Sequence, residues 1–193
     1  MRKLLMHACC GPCFAYIEKD LREHGMLLPN GEYEKVDFTA LFYNLNIHPL
    51  VEHKRRIEAF KTLCEMQSCK YDIIDDYDMN NFTINVVKDV YLEKKYVKRC
   101  EYCYKMRLEK AFIYAKENNF DVISTTLSIS PYQDHELIKK VGDMLSKKYN
   151  IEFNYIDYRE HFREGQNLAR SYGIYMQKYC GCIYSMDSGK WVY

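Results

Sequence analysis

The chain has 193 residues, 48% of them apolar and 28% charged, with a formal net charge of +1. That length suits one domain, and that composition excludes an intrinsically disordered chain or a uniformly basic nucleic-acid binder. No stretch approaches the roughly 18 apolar residues that a membrane-crossing helix needs, and the start, Met1-Arg2-Lys3-Leu4-Leu5-Met6-His7, lacks a secretory apolar region, so a cytoplasmic protein is expected.

In chain order, Lys3–Ala8 reads as a short buried strand ended by the Gly11-Pro12 turn signal. A helix is expected from about Cys13 to His24, with Phe14, Ile17 and Leu21 on one face. Lys35–Asn44 reads as a second strand, Val51–Met66 as a helix, and Lys70–Ile74 as a third strand. Residues 75–98 are polar, and a helix there rests on turn and cap signals alone. Arg99–Asn118 regains helical period, with Cys100 and Cys103 in its first turn on one face. Asp121–Leu127 is the next strand, followed by a loop and a helix to about Lys148. Ile151–Ile156 is the last strand, and Asn167–Tyr172 a final short helix. Strands alternating with helices predict a parallel sheet covered on both faces within a single domain, 1–193. In such sheets ligands gather beyond the carboxyl ends of the strands, where Cys9-Cys10, Tyr43-Asn44 and Ser128–Ser130 are all expected.

Cysteine is the unusual component, nine residues in all. An odd count argues against a complete disulfide framework, and clustered thiols in a reducing compartment point to metal or redox chemistry. Seven lie in three groups: Cys9, Cys10 and Cys13; Cys100 and Cys103; Cys180 and Cys182. Cys64 and Cys69 read as packing residues. The Cys100-x-x-Cys103 spacing alone serves zinc, iron-sulfur clusters or dithiol exchange. The Cys180-Gly181-Cys182 pair converges only through a turn, which Gly181 eases. Adjacent Cys9 and Cys10 are expected to face two neighbouring sites rather than one metal. One tetrahedral zinc or one four-iron cluster takes four thiolates, so seven imply spectators or more than one metal. His7 and His48 read either as orienting groups or as buried structural histidines.

The segments His7-Ala8-Cys9-Cys10-Gly11-Pro12-Cys13, Tyr43-Asn44-Leu45-Asn46-Ile47-His48-Pro49, Arg99-Cys100-Glu101-Tyr102-Cys103-Tyr104 with Arg107-Leu108, Thr125–Leu127 leading to Ser130–His135, and Tyr175–Cys182 occur in this order across nearly the whole chain. Together they resemble the cobalamin-independent epoxyqueuosine reductase (QueH-like) family, with Leu45 where that family usually has proline. The resemblance implies an α/β fold with a Rossmann-like, nucleotide-binding-type parallel sheet flanked by helices. It implies an oxidoreductase of queuosine biosynthesis and tRNA processing that converts the epoxide of epoxyqueuosine, in the tRNA wobble position, to the alkene. It further implies a [4Fe-4S] cluster and a second mononuclear metal ion, iron or zinc. On that basis Cys9, Cys10, Cys100, Cys103, Cys180 and Cys182 are the expected metal ligands, Cys13 an uncertain neighbour, and Asp134 and Cys10 the catalytic candidates. Tyr132, Gln133, Arg163 and Gln177 are the candidates for holding the modified base. The expected partners are the tRNA anticodon loop carrying epoxyqueuosine and an electron donor of unknown identity, with no membrane. Residues 94–110 carry seven basic against two acidic side chains, a candidate phosphate-contacting patch. The alternatives are another iron-sulfur tRNA-modifying enzyme or a non-catalytic zinc-stabilised RNA-binding module.

Overall fold

The computed structural model describes residues 1–185, so the last eight residues of the expected domain lie outside the described part. Five strands form one parallel sheet in the order β5-β4-β1-β6-β7: β1 (Arg2–Ala8), β4 (Val36–Phe42), β5 (Tyr71–Ile73), β6 (Val122–Thr125) and β7 (Glu152–Phe153). The chain moves outward from β1 to β5, then returns to the other side of β1 for β6 and β7. This Rossmann-like winding places a topological switch point at the carboxyl ends of β1 and β6.

Alternation along β1 explains why both faces are covered. Leu4, Met6 and Ala8 enter one core with Phe14 and Ile17 of α1 (Gly11–Glu23), Phe60 and Leu63 of α2 (Leu50–Met66), and Ala169 of α6 (Phe162–Ser171). Leu5 enters the other, with Leu108 and Phe112 of α4 (Arg99–Glu117) and Ile138 and Leu145 of α5 (His135–Tyr149). A period of two on a strand buried on both sides sends successive residues to opposite cores. His7 is fully buried on β1; its ring nitrogens lie 2.9 Å from Thr125 Oγ1 and 3.2 Å from Tyr43 O. Burial, then the Arg107 charge, push its pKa down to about 3. The neutral ring therefore donates to the Tyr43 carbonyl and accepts from Thr125, tying the three central strand ends together.

Several elements differ from the sequence expectation. A two-stranded hairpin, β2 (Met26–Leu27) with β3 (Tyr33–Glu34), stands where none was expected. The segment 75–98 is α3 (Met79–Asn85), capped by Asp78 onto Asn81 N at 2.9 Å, running into a π-helical turn at Val86–Leu92. Wider winding erases the 3.6-residue period that sequence reading relies on. Its apolar side, Phe82, Val86 and Val90, packs on Tyr102 and Cys103 of α4. The last strand pairs only over Glu152–Phe153, with Val122 and Ile123 of β6. The final helix begins at Phe162, five residues before the expected start. Among the described residues no helix is long and apolar enough to cross a membrane.

His48, in the loop before α2, is fully buried with its ring 5.2 Å from Phe82 and 5.9 Å from Tyr77. Burial, then neighbouring His53, lower its pKa from 6.5 to about 4. Above 6.5 folded and unfolded chains bind the same number of protons here. As pH falls from 6.5 toward 4, only the unfolded chain gains one, so stability is lost across that window. The urea midpoint of the metal-free protein is expected to fall between neutral pH and about pH 5, and to fall less in His48→Leu; equal slopes for both proteins would refute this.

Candidate metal centre

All seven clustered cysteines line one cavity of about 140 Å³ at the switch point; Cys64 and Cys69 do not. Three chain segments bring the sulfurs there, each for a local reason.

The first segment is the turn from β1 into α1. Cys10 is the helix N-cap in extended conformation, φ −174° and ψ 165°, and the helix begins at Gly11. Gly11 suits the close packing there, since a Cβ would lie 3.1 Å from the Ala59 carbonyl oxygen of α2. The sulfurs of Cys9, Cys10 and Cys13 all lie within 4.8 Å of one another, and those of Cys9 and Cys10 are 3.7 Å apart. Cys9 and Cys10, expected to face two neighbouring sites, thus have their sulfurs side by side, and Cys13, one helical turn on, completes the group. These three residues can hold a metal ion. Thr126 supports them, donating from Oγ1 to Cys9 Sγ at 3.2 Å and accepting from Cys9 N at 2.9 Å. Hydrogen bonds from Cys10 and Cys13 hold the Cys9 thiol well below its usual range, with Arg107 and the Thr126 hydroxyl adding to the effect. Burial pushes Cys10 up, and the hydrogen bond to Cys10 pushes Cys13 well up. The helix N-terminus beside these sulfurs favours negative charge on them.

The second and third segments face this group. Cys100 and Cys103 occupy the first turn of α4, Cys100 exposed and Cys103 buried. Burial, with nearby cysteines, raises Cys103 to about 11 and Cys182 to about 12, and raises Cys100. Cys180 and Cys182 lie on a C-terminal strap that turns, as their spacing called for, at Gly181, whose φ is +104°. A Cβ at Gly181 would come within 2.9 Å of Ile47 and 3.0 Å of Arg56. Arg56 is the strap's anchor. It donates to Glu52 Oε1 at 2.7 Å and to the Tyr179 carbonyl at 2.8 Å, with its guanidinium over the Tyr179 ring. Tyr175 donates to the other Glu52 oxygen at 2.7 Å, the Tyr179 hydroxyl to the His48 carbonyl, and His48 N to the Gly181 carbonyl at 2.8 Å. Both ionic side chains are buried, at 3% and 6% exposure.

Between the sulfur groups lies Arg107, 4% exposed. It donates to Asn44 Oδ1 at 2.7 Å and to Cys103 Sγ at 3.7 Å, while Asn44 donates to the Ala8 carbonyl at 3.0 Å. Sequence reading had placed Arg107 in a surface patch. The structure removes it from the surface, and salt bridges to Asp89, Glu93, Glu109 and Asp134 balance Lys95, Lys105 and Lys98 of that patch. The available signal was helical spacing: Arg107 is four residues after Cys103 and seven after Cys100, on their face. Asn44, Thr126 and Arg56 were also not named as site residues.

Gln177 and Gln133 line the cavity. Gln177 donates to Cys10 Sγ at 2.8 Å, and Gln133 accepts from the Tyr104 hydroxyl at 2.8 Å. Asp134 caps α5, accepting from Leu137 N at 3.2 Å and from Lys98 at 2.8 Å; the Lys98 hydrogen bond holds it below the usual carboxylate range. It lies outside the cavity lining, as do Tyr132, half exposed and edge-on to Phe162, and Arg163, exposed on α6.

A family model described as epoxyqueuosine reductase QueH matches residues 4–188. An epoxyqueuosine reductase QueH from Dehalococcoides mccartyi is 32% identical over 183 residues, covering 95% of this chain and 92% of that protein. Its counterpart from Histophilus somni is 36% identical over 196 residues, covering 98% and 74%. Among solved structures, the U34-tRNA thiolase NcsA from Methanococcus maripaludis, with its [4Fe-4S] cluster, superposes with a TM-score of 0.59 at 16% identity. It aligns with 97% of this chain and 62% of its own length, a likeness of fold.

The strap makes a testable demand. Arg56→Ala strands the Glu52 carboxylate in a buried setting, which costs about 3–5 kcal/mol, and unties the Tyr179 carbonyl. In the metal-free protein, alkylation of Cys180 and Cys182, followed by peptide mass spectrometry, is expected to accelerate at least about tenfold relative to Cys64. Unchanged relative rates would show that Arg56 does not hold the strap.

Proposed function

The chain belongs to the epoxyqueuosine reductase QueH family and is an oxidoreductase, and from that premise we propose that it removes the epoxide oxygen of epoxyqueuosine at the tRNA wobble position to give queuosine. The observation that carries this reading is the meeting of seven sulfurs from three distant segments in one small cavity at the switch point. The conversion takes two electrons and two protons and releases the oxygen as water, so the site must handle electrons and expel a poor leaving group.

The donor set fits metals with soft-ligand preference, because thiolates select iron-sulfur clusters and zinc over magnesium or calcium. In this reading Cys100, Cys103, Cys180 and Cys182 hold a [4Fe-4S] cluster, supplying the four thiolates it takes. Cys9, Cys10 and Cys13 hold the second metal ion, iron or zinc. A tetrahedral metal-thiolate site with bonds of about 2.3 Å separates its sulfurs by about 3.8 Å, close to the 3.7 Å between Cys9 and Cys10. When bound, such a pair supplies single electrons and a Lewis acid for the departing oxygen.

The chain's own residues set the conditions. Arg107 and the α1 N-terminus offset negative charge that thiolates concentrate in a buried space. Gln177 orients Cys10, and Thr126 orients Cys9. Tyr104 and Gln133 form a wall whose hydroxyl–amide hydrogen bond fixes the Gln133 side chain for the substrate, with Tyr132, and Arg163 further out, as candidates for contacting the nucleotide. Asp134, ionised at neutral pH beside Lys98, serves as a hydrogen-bond acceptor at the edge and as a station for protons rather than their source. The tRNA anticodon loop is the substrate-bearing partner, and an electron-donating protein or small reductant completes the reaction.

Nucleoside analysis of epoxyqueuosine-containing tRNA, incubated anaerobically with reconstituted and reduced protein, is expected to show queuosine; its absence with intact metal content would sink the reading. The partition of ligands has its own test. Cys100→Ser with Cys103→Ser is expected to abolish the visible iron-sulfur absorption, while Cys13→Ser retains it and lowers the second metal's occupancy. The reverse pattern would overturn the partition.

A further inference from the structure

Beside the sulfur-lined cavity runs a groove of about 300 Å³ between the π-helical turn and the start of α4, lined by Val90, Tyr91, Val97, Lys98, Arg99 and Cys100. Arg99 and Cys100 line the main cavity as well, so groove and cavity share a wall. On that wall the Arg99 guanidinium lies 4.8 Å from the centre of the Tyr184 ring and donates to the Tyr91 hydroxyl at 2.6 Å. Tyr91 is 49% exposed, and Leu92 and Val97 beside it are 73% and 79% exposed. Such a run of exposed apolar and aromatic side chains marks an interaction surface rather than a solvated face. From Val86 to Cys100 the chain carries five cations against two acidic side chains.

We propose that Tyr91, Arg99 and Tyr184 form a stacking platform for a nucleobase of the anticodon loop adjacent to the modified wobble nucleotide. The proposal rests on the reductase reading and adds how that substrate is held. A cavity of about 140 Å³ is well below the roughly 300–1,000 Å³ of sites that enclose a whole small molecule. With the metals held inside it, the polynucleotide bearing the modified ring lies across its edge. Anticodon bases splayed from a loop are held by stacking on aromatic rings and guanidinium planes. A guanidinium plane held over the Tyr184 ring and hydrogen-bonded to the Tyr91 hydroxyl offers such faces. A protein partner would use the exposed apolar residues but has no need of the planar array.

The test uses reconstituted holoprotein of verified metal content and an anticodon stem-loop with 2-aminopurine next to the wobble position. Binding of the wild type is expected to quench the fluorophore. Tyr91→Ala and Tyr184→Ala are each expected to weaken binding by roughly 5- to 150-fold, the range for losing one base–aromatic stack, and to relieve the quenching. Tyr91→Phe, which keeps the ring, is expected to retain both. Arg99→Lys keeps the charge and loses the plane, so affinity and quenching fall while the salt dependence of binding stays the same. Wild-type affinity and quenching in Tyr91→Ala and Arg99→Lys would overturn the platform, as would intact stem-loop binding with loss of reduction by a redox-partner protein. Conversion of epoxyqueuosine without quenching in the wild type sinks the platform alone; quenching without conversion sinks the reductase reading and leaves the platform standing.

Discussion

Seven sulfurs in a cavity of about 140 Å³ are an electrostatic problem before they are a binding site. Each thiolate placed there repels the others and loses its hydration, which is why burial leads the causes that raise Cys10, Cys103 and Cys182. Much of the surrounding structure reads as an answer. The α1 N-terminus points at Cys9 and Cys10, Arg107 is inserted among the sulfurs with Asn44 fixing its direction, and Gln177 and Thr126 each donate to a sulfur. Positively charged metal brought to such a set would relieve the remaining repulsion, so the same crowding that disfavours the empty thiolates favours their ligation.

The Rossmann-like sheet solves the accompanying geometric problem. Its switch point delivers the ends of β1 and β6 to one place, while α4 begins there and the strap returns across it. The central strand ends are tied by neutral His7, so the platform from which Cys9 departs is rigid. Among the described residues no helix or strand spans the strap between Tyr172 and Cys182, and the buried Glu52–Arg56 pair holds it. A buried ion pair is weak evidence for stability in itself. Here its value is positional, since the guanidinium reaches the Tyr179 carbonyl next to Cys180.

What the sequence disclosed follows from how local each signal is. Period-two and period-3.6 patterns gave β1, β4 and the long helices, because residues such as Leu4, Leu5, Phe112 and Leu108 face cores that adjoin them directly. The β2–β3 hairpin, with two residues per strand, is too short to show a period, and the π-helical turn at Val86–Leu92 has the wrong one. Cysteine grouping located the cavity because sulfur chemistry requires clusters. The supporting cast was hidden for the opposite reason. Arg107 looked like one more charge in a basic stretch, and Arg56 like one more on a polar helix; only the tertiary packing shows that both are buried and directed. Asp134 illustrates the converse, a motif residue whose observed contacts are those of a helix cap and an ion pair.

The strap also sets a clock. The wall that Cys180 and Cys182 supply is encoded some 170 positions after Cys9 and Cys10, and at roughly 5–20 residues per second of synthesis about ten to thirty seconds separate them. Over that interval Cys9, Cys10 and Cys13 lack the sulfurs that face them from the strap. Closing the chamber is therefore a later event than laying its floor, and Arg56 of α2 is the anchor that receives the strap.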